Sequence, residues 1–132
     1  MNDQFVPEPS WLTRSFWENA NRSVLSRQHC THCGYDMFPA QFACRQCLST
    51  ELEWQPSTGR GRLYSFSVLY MGDDGKPLPS PVVLADVDLE EGWHMMTHLI
   101  DCPIDQVECD MDVVLSWRRL SDSINLPVFR PA

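Results

Sequence analysis

Cys30-Thr31-His32-Cys33-Gly34, answered ten residues later by Cys44-Arg45-Gln46-Cys47, decides how this chain folds. Each C-x-x-C turn brings two sulfurs to one point, and two such turns complete a tetrahedral, all-sulfur metal shell. Gly34 suits the bend after the first pair, because such knuckles need a residue that accepts positive φ. The spacing predicts zinc, or iron in the same S4 shell, held by Cys30, Cys33, Cys44 and Cys47. Four protein ligands leave no open position, so the expected role of the metal is structural. His29 and His32 border the first pair and read as knuckle-surface side chains rather than as substitute ligands.

Disulfides are one competing reading of the four cysteines. The leading segment, Met1 to Pro9, has neither the basic stretch nor the apolar stretch of a secretory signal. The expected location is therefore cytoplasmic, where thiols stay reduced. A redox C-x-x-C is the other reading, but it would stand singly beside a βαβ pattern, which the chain lacks.

With 132 residues and 43% hydrophobic content, the chain can bury one small core and carry a metal-stapled appendage. No apolar run approaches the ~20 residues that span a bilayer, so no membrane segment is expected. Residues 1–62 carry six basic and six acidic side chains, whereas residues 63–132 carry four basic and twelve acidic ones. The whole net charge of −8 thus lies in the second half. Such a surface repels nucleic acid, whose binding depends on neutralising phosphates.

Outward from the cysteines, three regions are expected: a helical arm over 1–25, a ribbon over 26–57 and a barrel over 58–132. Ser10 reads as the cap of a helix from Trp11 to about residues 21–23, with Leu12, Phe16, Trp17, Ala20, Val24 and Leu25 at helical spacing. Trp11, Phe16 and Trp17 load one short helix heavily. They either pack on their own domain or dock a partner. Short strands at Val24–Gln28 and Glu51–Gln55 flank the knuckles in a rubredoxin-like ribbon. Such a unit is too small to fold without its metal.

After Gly59-Arg60-Gly61 the pattern changes to alternation. Strands are expected at Leu63–Tyr70, Val82–Leu89, Trp93–Ile100, Met111–Trp117 and Ile124–Phe129. Between them lie a long turn-rich loop over 71–81, a hairpin turn at Glu90–Gly92 and a helical turn over Asp101–Val107. Five short strands interrupted between the third and fourth predict a closed barrel of the OB type. The fold class is mainly β: helix, ribbon, barrel.

No nucleophile with a base, and no open metal site, stands out. His94 and His98 lack the glutamate of a metalloprotease helix and fall on one face of a strand. Cys102 and Cys109 read as free thiols without activating neighbours. Asp86 and Asp88 alternate with Val83, Ala85, Val87 and Leu89 as the solvated side of a strand. Arg60 and Arg62, beside Gly59 and Gly61, could grip a phosphate such as that of coenzyme A, or the glycines could simply form the hinge into the barrel.

The motifs in order resemble a family of small zinc-ribbon/OB-fold proteins associated with acyl-CoA enzymes, first catalogued as a domain of unknown function. The residues that carry the resemblance are Ser15 to Asn19, Cys30 to Gly34, Cys44 to Cys47, Thr58 to Val68, Pro81 to Gly92 and Leu126 to Pro131. Arg45 replaces a frequent proline, and Asp110 replaces a usual glycine at the entrance to the fourth strand. Asp tolerates the left-handed region such a corner needs.

The resemblance implies a non-catalytic subunit with structural zinc on Cys30, Cys33, Cys44 and Cys47. It would bridge or stabilise a thiolase-fold catalytic subunit and could shape acyl-CoA access. A hot-dog-fold enoyl-CoA hydratase is the alternative partner. A single-stranded nucleic-acid binder is a second class of reading, set against the acidic barrel half. An autonomous small-molecule enzyme is a third.

Overall fold

The computed structural model describes residues 6–132. Residues 1–5, part of the segment read for a secretory signal, lie outside them. Ser10 and Thr13 exchange hydrogen bonds: Ser10 N donates to Thr13 Oγ1 at 2.9 Å, and Thr13 N donates to Ser10 Oγ at 3.2 Å. This reciprocal pair holds residues 11–13 as a turn, so helix α1 spans Arg14–Asn21 and starts later than the expected Trp11. It ends where Ser23 adopts φ 61° and Val24 N donates to Asn19 O at 2.9 Å.

Phe16 and Ala20 are the buried residues of α1. The Phe16 ring packs on Trp17, Phe38 and Trp54 at centroid separations of 5.0, 5.3 and 6.0 Å. Burying such a side chain contributes roughly 1.5–3 kcal/mol, so a helix of two turns is held by packing rather than by propensity.

Three antiparallel strands follow, β1 Ser26–Cys30, β2 Asp36–Met37 and β3 Leu52–Pro56, in the order β2-β1-β3. β1 lies two residues beyond the expected Val24–Gln28, because Val24 and Leu25 complete the exit from the helix. β3 lies one residue beyond the expected Glu51–Gln55. The two-residue β2 was too short to leave a pattern in the sequence.

Arg27 on β1 is buried and ties these strands together. Its Nε donates to Asp36 Oδ1 at 3.0 Å, its Nη1 to the Pro56 carbonyl, and the same Asp36 oxygen lies 2.9 Å from His29 Nδ1. Asp36→Ala strands a buried guanidinium. It should lower stability by about 2 kcal/mol, less than for a fully buried pair because solvent reaches the carboxylate. The thermal midpoint checks this, with Asp36→Asn expected to recover part of the loss.

The remaining strands are β4 Arg60–Met71, β5 Pro77–Leu89, β6 His94–Leu99, β7 Asp112–Arg119 and β8 Asn125–Pro131. They close a barrel in the order β4-β5-β6-β8-β7, with a 3-10 turn at Ile104–Gln106 between the third and fourth strands. This is the expected OB topology. Val83, Ala85, Val87 and Leu89 point inward while Asp86 and Asp88 are half-exposed, as the alternation required. Asp110 takes φ 68° and donates its N–H to Leu63 O at 2.7 Å, supplying the left-handed corner before β7.

The expected loop over 71–81 is instead mostly strand. The turn is confined to Gly72–Lys76, closed by Gly72 N donating to Lys76 O at 2.8 Å. Pro77, Pro79 and Pro81 sit on β5 at a spacing of two, so their missing N–H groups fall on one edge. The partner β6 pairs only with Val83–Asp88, leaving that stretch of edge without a ladder to break.

The chain packs as two units. One comprises the described residues through Thr58 together with Trp117–Pro127; the other comprises Gly59–Ser116 with Val128–Ala132. Within the first, Asn125 is buried and its Nδ2 donates to Ala20 O at 3.0 Å, while Asn21 Nδ2 donates to Ser123 O at 2.9 Å. Among the described residues no helix is long and apolar enough to cross a membrane.

Candidate metal centre

The two cysteine pairs fold as matching knuckles. Gly34 N donates to Cys30 O at 2.8 Å and Leu48 N to Cys44 O at 2.9 Å. Cys30 N donates to Tyr35 O and Cys44 N to Ser49 O, each at 2.8 Å. The residue after each pair is left-handed, Gly34 at φ 81° and Leu48 at φ 66°. Leucine pays a steric penalty there that glycine does not, and Leu48 is 78% exposed, with little packing to lose. Leu48→Gly should therefore stabilise the ribbon by about 0.5–1 kcal/mol, read as a rise in thermal midpoint.

The knuckles bring the four sulfurs within 4.8 Å of one another. Cys30 Sγ and Cys47 Sγ are 3.6 Å apart, as are Cys33 Sγ and Cys44 Sγ. A tetrahedron with metal–sulfur bonds near 2.3 Å has edges of about 3.8 Å, so the set fits one ion. The same separations are far beyond the ~2.05 Å of a disulfide. Cys30 and Cys44 are buried and Cys47 is partly buried.

N–H groups point at the sulfurs: Cys33 N to Cys30 Sγ at 3.5 Å, Gln46 N to Cys44 Sγ at 3.4 Å and Gln46 Nε2 to Cys33 Sγ at 3.6 Å. Such donors stabilise thiolate charge.

Burial pushes the Cys44 thiol up, but backbone donors at Cys47 and Gln46 and the thiols of Cys33 and Cys47 outweigh it, lowering it to about 6. For Cys47 the backbone donor at Ser49 pulls down, while burial and the sulfurs of Cys33, Cys30 and Cys44 push harder, raising it to about 12. Thiolates this close together oppose one another's ionisation. A dication bound among them would remove that opposition, in keeping with the sulfur geometry.

His29 turns its Nδ1 to Asp36 rather than to a sulfur, and His32 is exposed. Asp36 left no sequence signal of its role, because strand pairing alone brings it beside Arg27 and His29. Gln46, inside the second knuckle, likewise carries no sequence signal of its role, although its side chain reaches Cys33.

The other candidate residues are dispersed. Trp11 is 72% exposed and packs edge-on to exposed Phe42 at 6.3 Å. Trp17 is half-buried and Phe16 is interior. Arg60 and Arg62 are exposed on β4, with Arg62 Nε 3.9 Å from Asp112 Oδ1. Gly59 has φ 76°, suiting a bend into the barrel, whereas Gly61 lies within β4 under the Asp88 carbonyl.

His94 and His98 share the outer face of β6. His94 Nδ1 pairs with Asp88 Oδ1, and its ring lies 6.1 Å from Tyr64. Cys102 Sγ donates to the Pro103 carbonyl at 3.6 Å, and Cys109 is exposed. Among the described residues, the four cysteines form the one grouping suited to a metal.

Comparison with known proteins places this geometry. Residues 54–118 match the family model described as ChsH2, C-terminal OB-fold domain. A Thermomonospora curvata protein described as a probable enoyl-CoA hydratase alpha subunit is 34% identical over 89% of this chain. The chain spans only 37% of that relative's length.

A DUF35 domain-containing scaffold protein of Methanothermobacter thermautotrophicus is 31% identical, over 76% of this chain and 77% of its own. The benzoylsuccinyl-CoA thiolase subunit BbsA of Geobacter metallireducens is 34% identical, over 79% of this chain and 69% of its own. A solved chain of the Ltp2-ChsH2(DUF35) aldolase superposes with a TM-score of 0.84 at 31% identity, covering 96% of this chain and 98% of that one. With the cysteine knuckles, the five-stranded barrel and these likenesses in agreement, the chain belongs to the DUF35 family.

Proposed function

We propose that this protein is a non-catalytic, zinc-binding accessory subunit of a thiolase-fold acyl-CoA enzyme complex that makes or breaks a carbon–carbon bond. The observation that carries the reading is the near-full-length likeness to the DUF35 chain of an aldolase, joined by the likeness to a thiolase subunit. Zinc on Cys30, Cys33, Cys44 and Cys47 would hold the ribbon in shape. A four-sulfur shell leaves the ion no position for substrate, so the metal supplies structure.

In this reading the catalytic groups belong to a thiolase-fold partner in the cytoplasm, which this subunit bridges or stabilises. Trp11 and the open part of Trp17 are the proposed docking surface, with buried Phe16 packed on Trp17 as its support. Arg60 and Arg62 are the proposed contact for a CoA phosphate. Replacing both with alanine should weaken acyl-CoA binding by the assembled complex, and unchanged affinity would remove that role.

Co-expression with the thiolase-fold protein encoded nearest to it should yield a stoichiometric complex on gel filtration, with one zinc per copy of this chain. A partner that is stable and active alone and never binds would sink the reading. A hydratase partner is the second reading, favoured by the Thermomonospora relative. It predicts capture of a hot-dog-fold protein instead.

A further inference from the structure

One edge of the β4–β5 hairpin is built to be covered. On its far side β4 is laddered to β7 at Arg60–Arg62, and the last contacts are Leu63 N to Met111 O and Asp110 N to Leu63 O. Beyond Leu63, no described strand pairs with that edge through Met71. Proteins normally blunt such an edge with charge or proline. The β5 margin of this hairpin is blunted, by Pro77, Pro79 and Pro81. The β4 margin, Tyr64-Ser65-Phe66-Ser67-Val68-Leu69-Tyr70-Met71, carries neither charge nor proline. It holds Tyr64, Phe66, Leu69, Tyr70 and Met71, half of the large hydrophobic side chains exposed on the described surface.

The sequence of this edge identifies its occupant. Read antiparallel against itself about Ser67, the regular stretch Ser65–Leu69 sets Phe66 opposite Val68, Ser65 opposite Leu69 and Ser67 opposite Ser67, and it brings Tyr64 near Tyr70 at the bulges that bound it. Aromatic–β-branched, aromatic–aromatic and hydroxyl pairs are favourable cross-strand neighbours. The same register carries Asp73 and Asp74, in the turn of one copy, toward the base of β4 in the other, where exposed Arg60 and Arg62 stand with Asp110 and Asp112 of the β7 side. The two acidic turns themselves stand roughly 40 Å apart at ~3.3 Å per residue, well beyond the ~8 Å screening length. A two-fold axis through Ser67 makes the contact self-complementary and closed.

We propose that the free edge of β4 pairs antiparallel with β4 of a second copy of this chain, on a two-fold axis at Ser67. The pairing rests on this edge alone and not on which enzyme the subunit serves. Ser67 is exposed, and its side chain shares a face with Leu84, away from the inward Val83 and Ala85. A charge there therefore spares the barrel interior.

In sedimentation velocity over a micromolar-to-millimolar dilution series, the wild-type chain should form a dimer that weakens as salt is raised. Ser67→Lys and Ser67→Glu, each facing its own like charge across the axis, should weaken it about tenfold or more. An equimolar mixture of the two variants should restore it. Hydrogen exchange should show concentration-dependent protection confined to residues 64–71. A wild-type chain that stays monomeric, a Ser67→Lys dimer of undiminished strength, a mixture that does not recover, or protection elsewhere would each overturn the proposal. A partner's strand taking this edge would appear as the first of these.

Discussion

Cys44→Ser is expected to release the metal and unfold the ribbon while the barrel stays intact. Cys44 is fully buried, and its sulfur contacts the Cys33 sulfur and two backbone donors. A serine hydroxyl is a far poorer ligand for a soft S4 site. Structural zinc contributes on the order of 10–16 kcal/mol in small zinc peptides, more than a three-stranded ribbon of short strands can replace by burial.

The expected readouts are loss of one zinc equivalent by elemental analysis and a red shift of Trp17 and Trp54 emission. Resonances of residues 26–56 should collapse, while Trp93, in the barrel, keeps its environment. Chelation of the wild-type chain should reproduce the change, and re-addition of zinc should reverse it only in the wild type. A variant that keeps its metal and its ribbon spectrum would show that three cysteines suffice.

Gly61→Val should damage the other unit, to a smaller extent. A Cβ at Gly61 would lie 2.4 Å from the Asp88 carbonyl oxygen and 2.9 Å from Val87 Cγ1. The first of these is backbone in the paired strand and cannot swing aside. Relief requires opening the β4–β5 ladder where Gly61 pairs with Leu89, beside the closure onto β7 through Val113. The expected cost is about 4 kcal/mol, at the upper end of overpacking effects. It should appear as a large fall in the thermal midpoint of the barrel with the metal content unchanged. A midpoint close to wild type would mean the strand can shift without loss.

These two sites differ in how they could be read from sequence. The cysteine pairs announce a four-sulfur cluster that could hold a metal, because spacing alone sets the geometry of a knuckle, and Gly34 marks its bend. Leu48 occupies the matching left-handed position with a residue that carries no such signal. The barrel strands show through their alternation, most clearly in Val83 to Leu89, because one face must be dry.

Pro77 to Pro81 read as loop because proline usually ends a strand. Their tolerance depends on an edge that β6 does not reach, and only pairing reveals that. Gly61 likewise reads as flexibility, whereas its place under the Asp88 carbonyl is a matter of space. Arg27, His29 and Asp36 form a network that sheet register assembles from separated positions. Local pattern cannot supply it.

The hydrogen bonds from Asn125 to Ala20 and from Asn21 to Ser123 have a consequence for how the chain is made. They join residues about a hundred positions apart, so the first unit cannot be completed when its own helix and knuckles have left the ribosome. It waits for residues 117–127, which follow β4, β5 and β6 in synthesis. Contacts of such high sequence separation slow folding, because the intervening chain must be brought to order first. The proposed metal capture by the knuckles needs only local chain; it would come early and hold an unfinished unit until its late-arriving segment docks.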